Sequence, residues 1–162
     1  IATLRNIEEI KVIENNIKEG ITNIKSKARI MEIKSGKLKK LCKNNKIYLD
    51  GSHNPLGAKV LVEYLDKMDC KKHVIIGMMS NKNHKEYIHF FKNKIESLTT
   101  VDIPKQKNSI SGKNLKDKLI GFKKIQYKSS IVNAIKSIPI KENDIILITG
   151  SLYLAGEVLN QN

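Results

Sequence analysis

The sequence contains few cysteines and no long hydrophobic run, and both shortages exclude classes of protein. Cys42 and Cys70 are the two cysteines among 162 residues and form no CxxC pair, which argues against a disulfide framework and a zinc or redox site of that type. No apolar run approaches the roughly 20 residues that span a bilayer, and charged residues interrupt the N-terminal segment, where a signal peptide needs an apolar stretch. We therefore expect a soluble, cytoplasmic protein with no membrane partner.

Arginine and aromatic residues are also scarce, although the formal net charge at pH 7 is +14. All basic residues except Arg5 and Arg29 are lysine, whereas base and phosphate recognition favours the bidentate guanidinium. The five tyrosines and three phenylalanines do not alternate with lysine in a repeated pattern, so no stacking platform for bases is evident. We expect no nucleic-acid partner. A basic nucleic-acid binder remains an alternative, and a steep salt dependence of binding would reveal it.

The composition and periodicity predict one α/β domain. Apolar residues make up 40% of the chain, which is enough for one compact core, and we expect a monomer. Short apolar runs alternate with segments of helical periodicity. The predicted strands are 46–50, 73–79, 97–103, 124–127 and 144–150, and the predicted helices are 54–68, 82–95, 112–120, 131–138 and a terminal helix from Leu152. This alternation predicts a Rossmann-like, mainly parallel sheet with helices on both faces.

The N-terminal part has a different pattern. Residues 1–16 have helical spacing and predict a helix that closes before Gly20, followed by a linker at about 16–23. The segment "ARIMEIK", residues 28–34, alternates like an edge strand, and "KLKKL", residues 37–41, is predicted to pair with it across Ser35 and Gly36. The sheet should therefore have an antiparallel edge near the N-terminus.

Three polar loops follow predicted strands, where open α/β sheets bind ligands because helix N-termini present free N–H groups there. They are "DGSHNP" (50–55), "GMMSNKN" (77–83) and "TGSLY" (149–153). In the first loop Asn54 and Pro55 suit an N-cap and a first helical position. Asp50 could accept hydrogen bonds from ribose hydroxyls, and His53 could donate to a phosphate oxygen. Nucleotide binding and structural capping both remain open from these residues alone.

Two other chemistries fit the sequence less well. A Ser-His-Asp hydrolase is a poor fit at the first loop. Asp50, Ser52 and His53 are too close along the chain for the serine to contact the histidine while the aspartate orients it. The sequence also has no GxSxG nucleophile elbow. The remaining histidines lack metal-site spacing, so we predict no metal ligands and assign them to the surface or the core. They are His73, His84 and His89.

Four stretches in order resemble the folylpolyglutamate synthases and dihydrofolate synthases of the Mur ligase superfamily. The family signatures are Asp-Gly-Ala-His-Asn-Pro, a Gly-Arg-Leu/Met-Glu strand, Gly-Met followed by Asp-Lys-Asp, and a terminal Thr-Gly-Ser-Leu-Tyr. The matching stretches are "YLDGSHNP", "KARIMEI", "VIIGMMSNKN" and "ITGSLYLAGEVL". The likeness covers nearly the whole chain, which is thereby identified as the C-terminal domain of such a ligase.

The resemblance implies an ATP-dependent ligase that phosphorylates a carboxylate of a pteroate or folate, after which the amino group of L-glutamate attacks the acyl phosphate. No residue of this chain is implied as catalytic. The implied ATP-binding residues are Arg29, Asp50, His53 and Asn54, with Asp50 at the ribose. The implied residues on the phosphate or glutamate side are Lys82, Ser151 and Tyr153.

The chain also departs from the family pattern. It has no GxxxxGK[ST] P-loop; in this family the P-loop, the Mg²⁺ ligands and most of the folate site belong to an N-terminal ATPase domain. We therefore expect residues 1–20 to be a helix and linker from that domain and residues 21–162 to be the Mur ligase-type C-terminal domain, inactive without its partner. Ser52 replaces the usual alanine, and Asn81 and Asn83 replace two aspartates. A stand-alone or degenerate nucleotide-binding or regulatory module is the alternative.

Overall fold

The N-terminal described segment is a helix. The structure is a computed structural model that describes residues 13–23, 26–42 and 44–162, so most of the helix predicted for residues 1–16 lies outside the described residues. Helix α1 spans Glu14–Thr22 and runs through Gly20. The predicted end of the helix before Gly20 is therefore wrong, whereas the linker at about 16–23 stays a prediction, because a connection between domains can be helical. The hydroxyl of Thr22 donates to the Lys18 carbonyl at 2.9 Å and so extends the hydrogen bonding of the last turn.

The described strands form a six-stranded sheet that confirms the predicted fold class. The strands are β1 (Met31–Glu32), β2 (Lys46–Leu49), β3 (Lys72–Ile76), β4 (Ser97–Val101), β5 (Ile125–Lys128) and β6 (Ile145–Thr149). Their spatial order is β1-β2-β6-β3-β4-β5. The β1–β2 pair is antiparallel and the other pairs are parallel, which also confirms the antiparallel edge. Because β6 lies between β2 and β3, the last strand brings the C-terminal loop beside the first two parallel strands.

Helices cover both faces of this sheet, as two core clusters show. The further helices are α2 (Lys37–Cys42), α3 (Pro55–Leu65), α4 (His84–His89), α5 (Gly112–Lys118), α6 (Ile131–Ser137) and α7 (Leu152–Gln161). Buried residues of α3, α4 and α5 pack into one cluster, and those of α2, α6 and α7 pack into the other. Alternate residues of the central strand β6 enter opposite clusters, as a strand period of two requires. None of the described helices is long and apolar enough to cross a membrane.

Residues 37–41 form a helix, so the predicted strand pairing with residues 28–34 is wrong. Leu38 and Cys42 lie one helical turn apart, and both are buried against the cluster that contains α6. The edge strand β1 has two residues and pairs with β2 instead. The backbone before it is not extended, because Ala28 and Ile30 have φ angles of 56° and 47°.

Helix α3 buries only part of the apolar stripe that its sequence pattern forms. Its buried residues are Ala58, Leu61, Val62 and Leu65. At helical spacing the sequence forms an apolar stripe of Leu56, Val60, Leu61, Tyr64, Leu65 and Met68. Leu61 and Leu65 of that stripe are buried, whereas Leu56 and Val60 are 72% and 54% exposed. The sequence of α3 contains two overlapping apolar stripes, and the small side chain of Ala58 marks the stripe that approaches the sheet. The second stripe is therefore left at the surface.

Candidate functional site

Three segments that are distant in sequence meet at the carboxyl edge of the sheet. The Gly51 N–H donates to the Ala28 carbonyl at 2.8 Å, and the Gly150 N–H donates to the Ser52 carbonyl at 3.1 Å. The turn before β1, the loop after β2 and the loop after β6 are thereby joined through backbone hydrogen bonds. This is the edge at which an open parallel sheet binds ligands.

Asp50 anchors this arrangement with both of its carboxylate oxygens. Its Oδ2 accepts from the Ile30 N–H at 2.9 Å, and its Oδ1 accepts from the Ser52 N–H at 2.8 Å. The residue is 5% exposed, so the two backbone donors satisfy a buried charge. Each carboxylate oxygen has a further acceptor position, and Asp50 still lines a surface groove. The side chain is a structural clamp that retains the capacity to accept hydrogen bonds from a ligand.

His53 is half-buried and has one ring nitrogen committed to the same loop. Its Nδ1 lies 3.0 Å from the Gly51 carbonyl oxygen. Because a carbonyl oxygen only accepts, Nδ1 carries the proton, and Nε2 of the neutral ring is then an acceptor. Nε2 can donate a hydrogen bond to an anion only when the ring is an imidazolium.

Asn54 caps the helix that follows, as the sequence predicts. Its Oδ1 accepts from the Gly57 N–H at 2.8 Å, and Pro55 occupies the first helical turn. The Cβ of Ser52 lies 2.8 Å from where a Cβ on Gly57 would stand, so the absence of a side chain there lets the loop lie close to α3. The N-terminus of α3 thus opens beside Asp50 and His53.

A groove of about 410 Å³ lies between these loops and α3. Three of the four predicted ATP-binding residues line it, namely Arg29, Asp50 and Asn54, whereas His53 does not. Leu56 and Val60 line it as well, so the stripe of α3 that faces away from the core forms the apolar wall of the groove. One wall is therefore aliphatic, and the remainder carries a guanidinium, a carboxylate and an amide.

A cluster of three buried hydroxyl groups lies beneath the groove. The Tyr87 hydroxyl lies 3.0 Å from Ser52 Oγ and 2.8 Å from Thr149 Oγ1, and the latter two oxygens are 3.4 Å apart. Burial raises the pKa of Tyr87 to about 12, although its hydrogen bonds to Ser52 and Thr149 oppose that rise. The sequence analysis missed Tyr87 and Thr149 as parts of the site. Their only signals in the sequence are that Tyr87 lies at helical spacing with Phe91 and Ile95 in the predicted helix 82–95, and that Thr149 is the penultimate residue of the predicted strand 144–150.

The loop after β6 is held tightly against the neighbouring strands. Ser151 is buried and caps α7, its Oγ accepting from the Tyr153 N–H at 3.1 Å. Gly150 has a φ of +104°, and a Cβ there would lie 2.8 Å from the Gly77 carbonyl oxygen. Leu152 covers Gly51, where a Cβ would lie 2.3 Å from Leu152 Cδ2. At Gly150 the positive φ and the nearby backbone oxygen require glycine, whereas at Gly51 the neighbouring atom belongs to the exposed Leu152 side chain, which can move.

Comparison with known families identifies the domain. The family model described as the Mur ligase, glutamate ligase domain, matches residues 31–152, from β1 to the first residue of α7. The chain belongs to the Mur ligase family. Among curated proteins, none matches the chain.

Solved structures agree with this assignment of the Mur ligase domain. The bifunctional folylpolyglutamate synthase/dihydrofolate synthase of Yersinia pestis, complexed with AMPPNP and a Mn ion, matches with a TM-score of 0.76 at 17% identity, over 98% of this chain and 37% of that chain. E. coli FolC in complex with ADP matches with a TM-score of 0.76 at 20% identity, over 98% and 36%. The folylpolyglutamate synthase of Thermotoga maritima matches with a TM-score of 0.69 at 25% identity, over 94% and 34%.

The Mur ligase domain therefore spans about 36% of the length of the solved chains that it matches. The resemblance to the C-terminal domain of folylpolyglutamate and dihydrofolate synthases is confirmed. The likeness covers nearly all of this chain, so the matched region of those enzymes corresponds to the α/β unit described above.

The structure separates the predicted site residues of this Mur ligase domain into groups. Arg29, Asp50 and Asn54 share one groove, and His53 lies beside it in the same loop. Lys82 is half-buried in the loop after β3, where its backbone N–H donates to the Met79 carbonyl at 3.3 Å. Over residues 13–23, 26–42 and 44–162, no hydrogen bond or ion pair joins Lys82 to that groove. Its assignment to the phosphate or glutamate side remains a prediction.

The remaining histidines of the Mur ligase domain lie in the core or at the surface, as predicted. His84 is buried and its Nε2 lies 2.9 Å from the Met79 carbonyl oxygen, whereas His89 is exposed. His73 is buried at the opposite edge of the sheet. In the part of the chain that the structure describes, no group of three or more His, Cys, Asp or Glu side chains could hold a metal ion.

Proposed function

We propose that this Mur ligase domain is the C-terminal lobe of an ATP-dependent ligase that adds L-glutamate to a pteroate or folate through an acyl phosphate. The observation that carries the proposal is the groove at the carboxyl edge, where Arg29, Asp50 and Asn54 meet an aliphatic wall beside the N-terminus of α3. The Yersinia pestis relative was solved with AMPPNP and a Mn ion, and the E. coli relative with ADP. Both support a nucleotide as the ligand here.

Each residue of the groove has a physical role in this proposal. The unused acceptor positions of Asp50 would receive the ribose hydroxyls, and the exposed guanidinium of Arg29 would bind phosphate oxygens in a bidentate manner. His53, when protonated, would donate from Nε2 to a phosphate. Asn54 would act by capping α3 and fixing its N-terminal dipole at the anion.

The rest of the ATP site would come from an N-terminal ATPase domain as partner. The sequence has no GxxxxGK[ST] motif, so the P-loop and the ligands of Mg²⁺ would lie in that domain. We propose that residues 1–20 connect to it and that residues 21–162 form the Mur ligase-type C-terminal domain. Helix α1 has no buried residue within the described chain. This supports the proposal that the helix packs against the partner domain rather than against this one. The enzyme would be a cytoplasmic monomer.

The glutamate side of the reaction is assigned to the loops after β3 and β6. Tyr153 is exposed at the start of α7 and Ser151 is buried beneath it. In this proposal Ser151 positions Tyr153 through the cap, and Tyr153 and Lys82 face the phosphate or L-glutamate. The charge of Lys82 suits an acyl phosphate or the carboxylates of glutamate.

A stand-alone or degenerate nucleotide-binding or regulatory module is the second candidate. It is favoured by the fact that all four proposed ATP-binding residues lie in this chain, whereas the neighbours of Lys82 are the uncharged Asn81 and Asn83. Such a module would bind ATP alone and would not need a partner domain to hold the nucleotide.

The proposal is tested by ATP titration and by a ligation assay. Isothermal titration with ATP compares the chain with Arg29→Ala and with Lys136→Ala, a control at an exposed lysine on α6. The same chain fused after the P-loop domain of a folylpolyglutamate synthase is assayed for glutamate-dependent ADP release with dihydropteroate and with a folate. We expect ligation by the fusion alone, and weaker ATP binding in Arg29→Ala but not in Lys136→Ala.

The outcomes separate the two candidates. ATP affinity that is already at its full value in the isolated chain, with no ligation by the fusion, supports the regulatory module. An ATP affinity that Arg29→Ala leaves unchanged in both proteins contradicts both nucleotide proposals. Ligation by the isolated chain contradicts the need for a partner.

A further inference from the structure

A second cavity lies at the opposite edge of the sheet from the groove. Its volume is also about 410 Å³, and its walls come from the amino ends of β3, β4 and β5 and from the segment after α6. Parallel strands place their two ends at opposite edges, so this cavity is separate from the proposed nucleotide site. Three side chains with complementary chemistry, Ser97, His73 and Asp144, line it.

These three side chains form one hydrogen-bonded line. Ser97 Oγ lies 2.7 Å from His73 Nδ1, and His73 Nε2 lies 3.3 Å from Asp144 Oδ2. All three residues are buried, with His73 2% exposed. Asp144 Oδ2 also accepts from the Lys141 N–H at 2.9 Å, which fixes the carboxylate.

The chemistry of the partners sets the direction of these hydrogen bonds. A carboxylate only accepts, so His73 Nε2 carries the ring proton toward Asp144. In the neutral ring Nδ1 is then an acceptor, and the Ser97 hydroxyl donates to it. The hydroxyl is thus bonded to a base that a buried acid orients, which is the order of groups that activates a serine nucleophile. The two ring nitrogens exchange the places that they have in the serine-protease triad.

We propose that Ser97, His73 and Asp144 form a second catalytic site, which hydrolyses small carboxylic esters. Ser97 Oγ attacks the ester carbonyl carbon while its proton passes to His73 Nδ1. The bond to the leaving oxygen breaks, and that oxygen takes the proton from His73. Water then attacks the acyl-serine and gives a proton to His73, and the Oγ–acyl bond breaks as Oγ recovers that proton. The products are an alcohol and a carboxylic acid.

The cavity has the size and the lining that a small ester requires. Its volume lies within the range of about 300–1,000 Å³ that is typical of small-molecule sites. Ile125 and Pro139 supply apolar walls. Lys71 and Lys124 line the cavity but contact Glu96, whereas Lys141 makes no ion pair with any residue that the structure describes. Its ammonium group is the cation that can respond to an oxyanion in the transition state.

A fluorophosphonate probe followed by peptide mass spectrometry tests the proposal on the full chain. We expect an adduct on Ser97 in folded protein, no adduct there after unfolding in guanidinium chloride, and hydrolysis of p-nitrophenyl acetate that saturates with substrate. His73→Gln should lower the rate of Ser97 labelling by about 100-fold or more, the usual contribution of a general base. Ser97→Ala should abolish the saturable hydrolysis.

Ser137→Ala is the matched control, because its hydroxyl lines the same cavity and donates to the Ala134 carbonyl without contacting His73. It should retain the labelling of Ser97. Folded wild-type protein without an adduct on Ser97 overturns the proposal, as does labelling that is equal in folded and unfolded protein. Since this comparison uses wild-type protein, it decides the matter even where His73→Gln does not fold.

Discussion

The carboxylate Oδ2 of Asp50 accepts a hydrogen bond of 2.9 Å from the backbone N–H of Ile30, twenty residues earlier in the chain. Arg29 directly precedes that donor. The carboxylate that we assign to the ribose therefore also fixes the segment that carries the guanidinium assigned to the phosphates. Asp50 should therefore contribute both to the stability of the fold and to ligand binding, whereas Arg29 should contribute to ligand binding alone.

Substitution of these two residues should have different effects on stability. Asp50→Ala leaves two backbone N–H groups without their acceptor, and we expect the free energy of unfolding to fall by about 2–4 kcal/mol, since each buried donor left unsatisfied costs roughly 1–3 kcal/mol. Arg29→Ala should change it by less than about 0.5 kcal/mol because the side chain is exposed. Urea denaturation followed by circular dichroism measures both. Equal losses in the two variants would contradict this division.

The buried hydroxyl cluster should make Tyr87→Phe destabilising and Ser52→Ala nearly neutral. Phenylalanine removes the oxygen that bridges Ser52 and Thr149, and we expect a loss of about 1–2 kcal/mol. Ser52→Ala restores the residue usual in folylpolyglutamate synthases and leaves the Tyr87–Thr149 bond of 2.8 Å in place, so its cost should stay below about 1 kcal/mol. The midpoints of urea denaturation of the two variants are compared with that of the wild type. A larger loss of stability in Ser52→Ala than in Tyr87→Phe would refute the prediction.

Tyr87 should also make stability fall at alkaline pH. Burial raises its pKa from 10.0 to about 12, so the folded state holds the proton that the unfolded state releases between these values. Its contribution is complete below about pH 10 and is lost as the pH rises toward 12, with a total near 2–3 kcal/mol. The measurement is the free energy of unfolding of wild type minus that of Tyr87→Phe across this range. Taking the difference cancels the titration of the lysines, and a difference that does not change with pH would contradict the assignment.

Two glycine substitutions should change stability in opposite directions. Gly150→Ala places a Cβ 2.7 Å from Ile76 Cγ1 at a φ of +104°, and we expect a loss of at least about 1–3 kcal/mol. Gly20→Ala lies in α1, where an added Cβ would have no atom within 4 Å, and should stabilise by about 0.5–1 kcal/mol. Thermal denaturation of both variants measures the changes. A stabilised Gly150→Ala would show that the loop after β6 is not fixed as described.

The connection from β2 to α3 was predictable because its signals are local. The apolar run ends at Asp50, Asn54 caps the helix and Pro55 lies in the first turn, and the structure has each of these features. Residues 37–41 were mispredicted because a five-residue segment of lysines and leucines, "KLKKL", fits either a strand or a helix. Packing of Leu38 and Cys42 against the sheet selected the helix. Which apolar stripe of α3 lies inward was likewise decided by long-range packing.

The sequence by itself determined the fold class, the positions of most strands and helices, and the turn that places Asp50, His53 and Asn54 together, because periodicity and capping act over a few residues. Tertiary structure alone decided that β6 lies between β2 and β3. That strand order brings Thr149 to Tyr87 and Asp144 to His73, across 62 and 71 residues of chain. The order of the strands depends on how helices cover both apolar faces of the sheet at the same time. No pattern of neighbouring residues encodes this order.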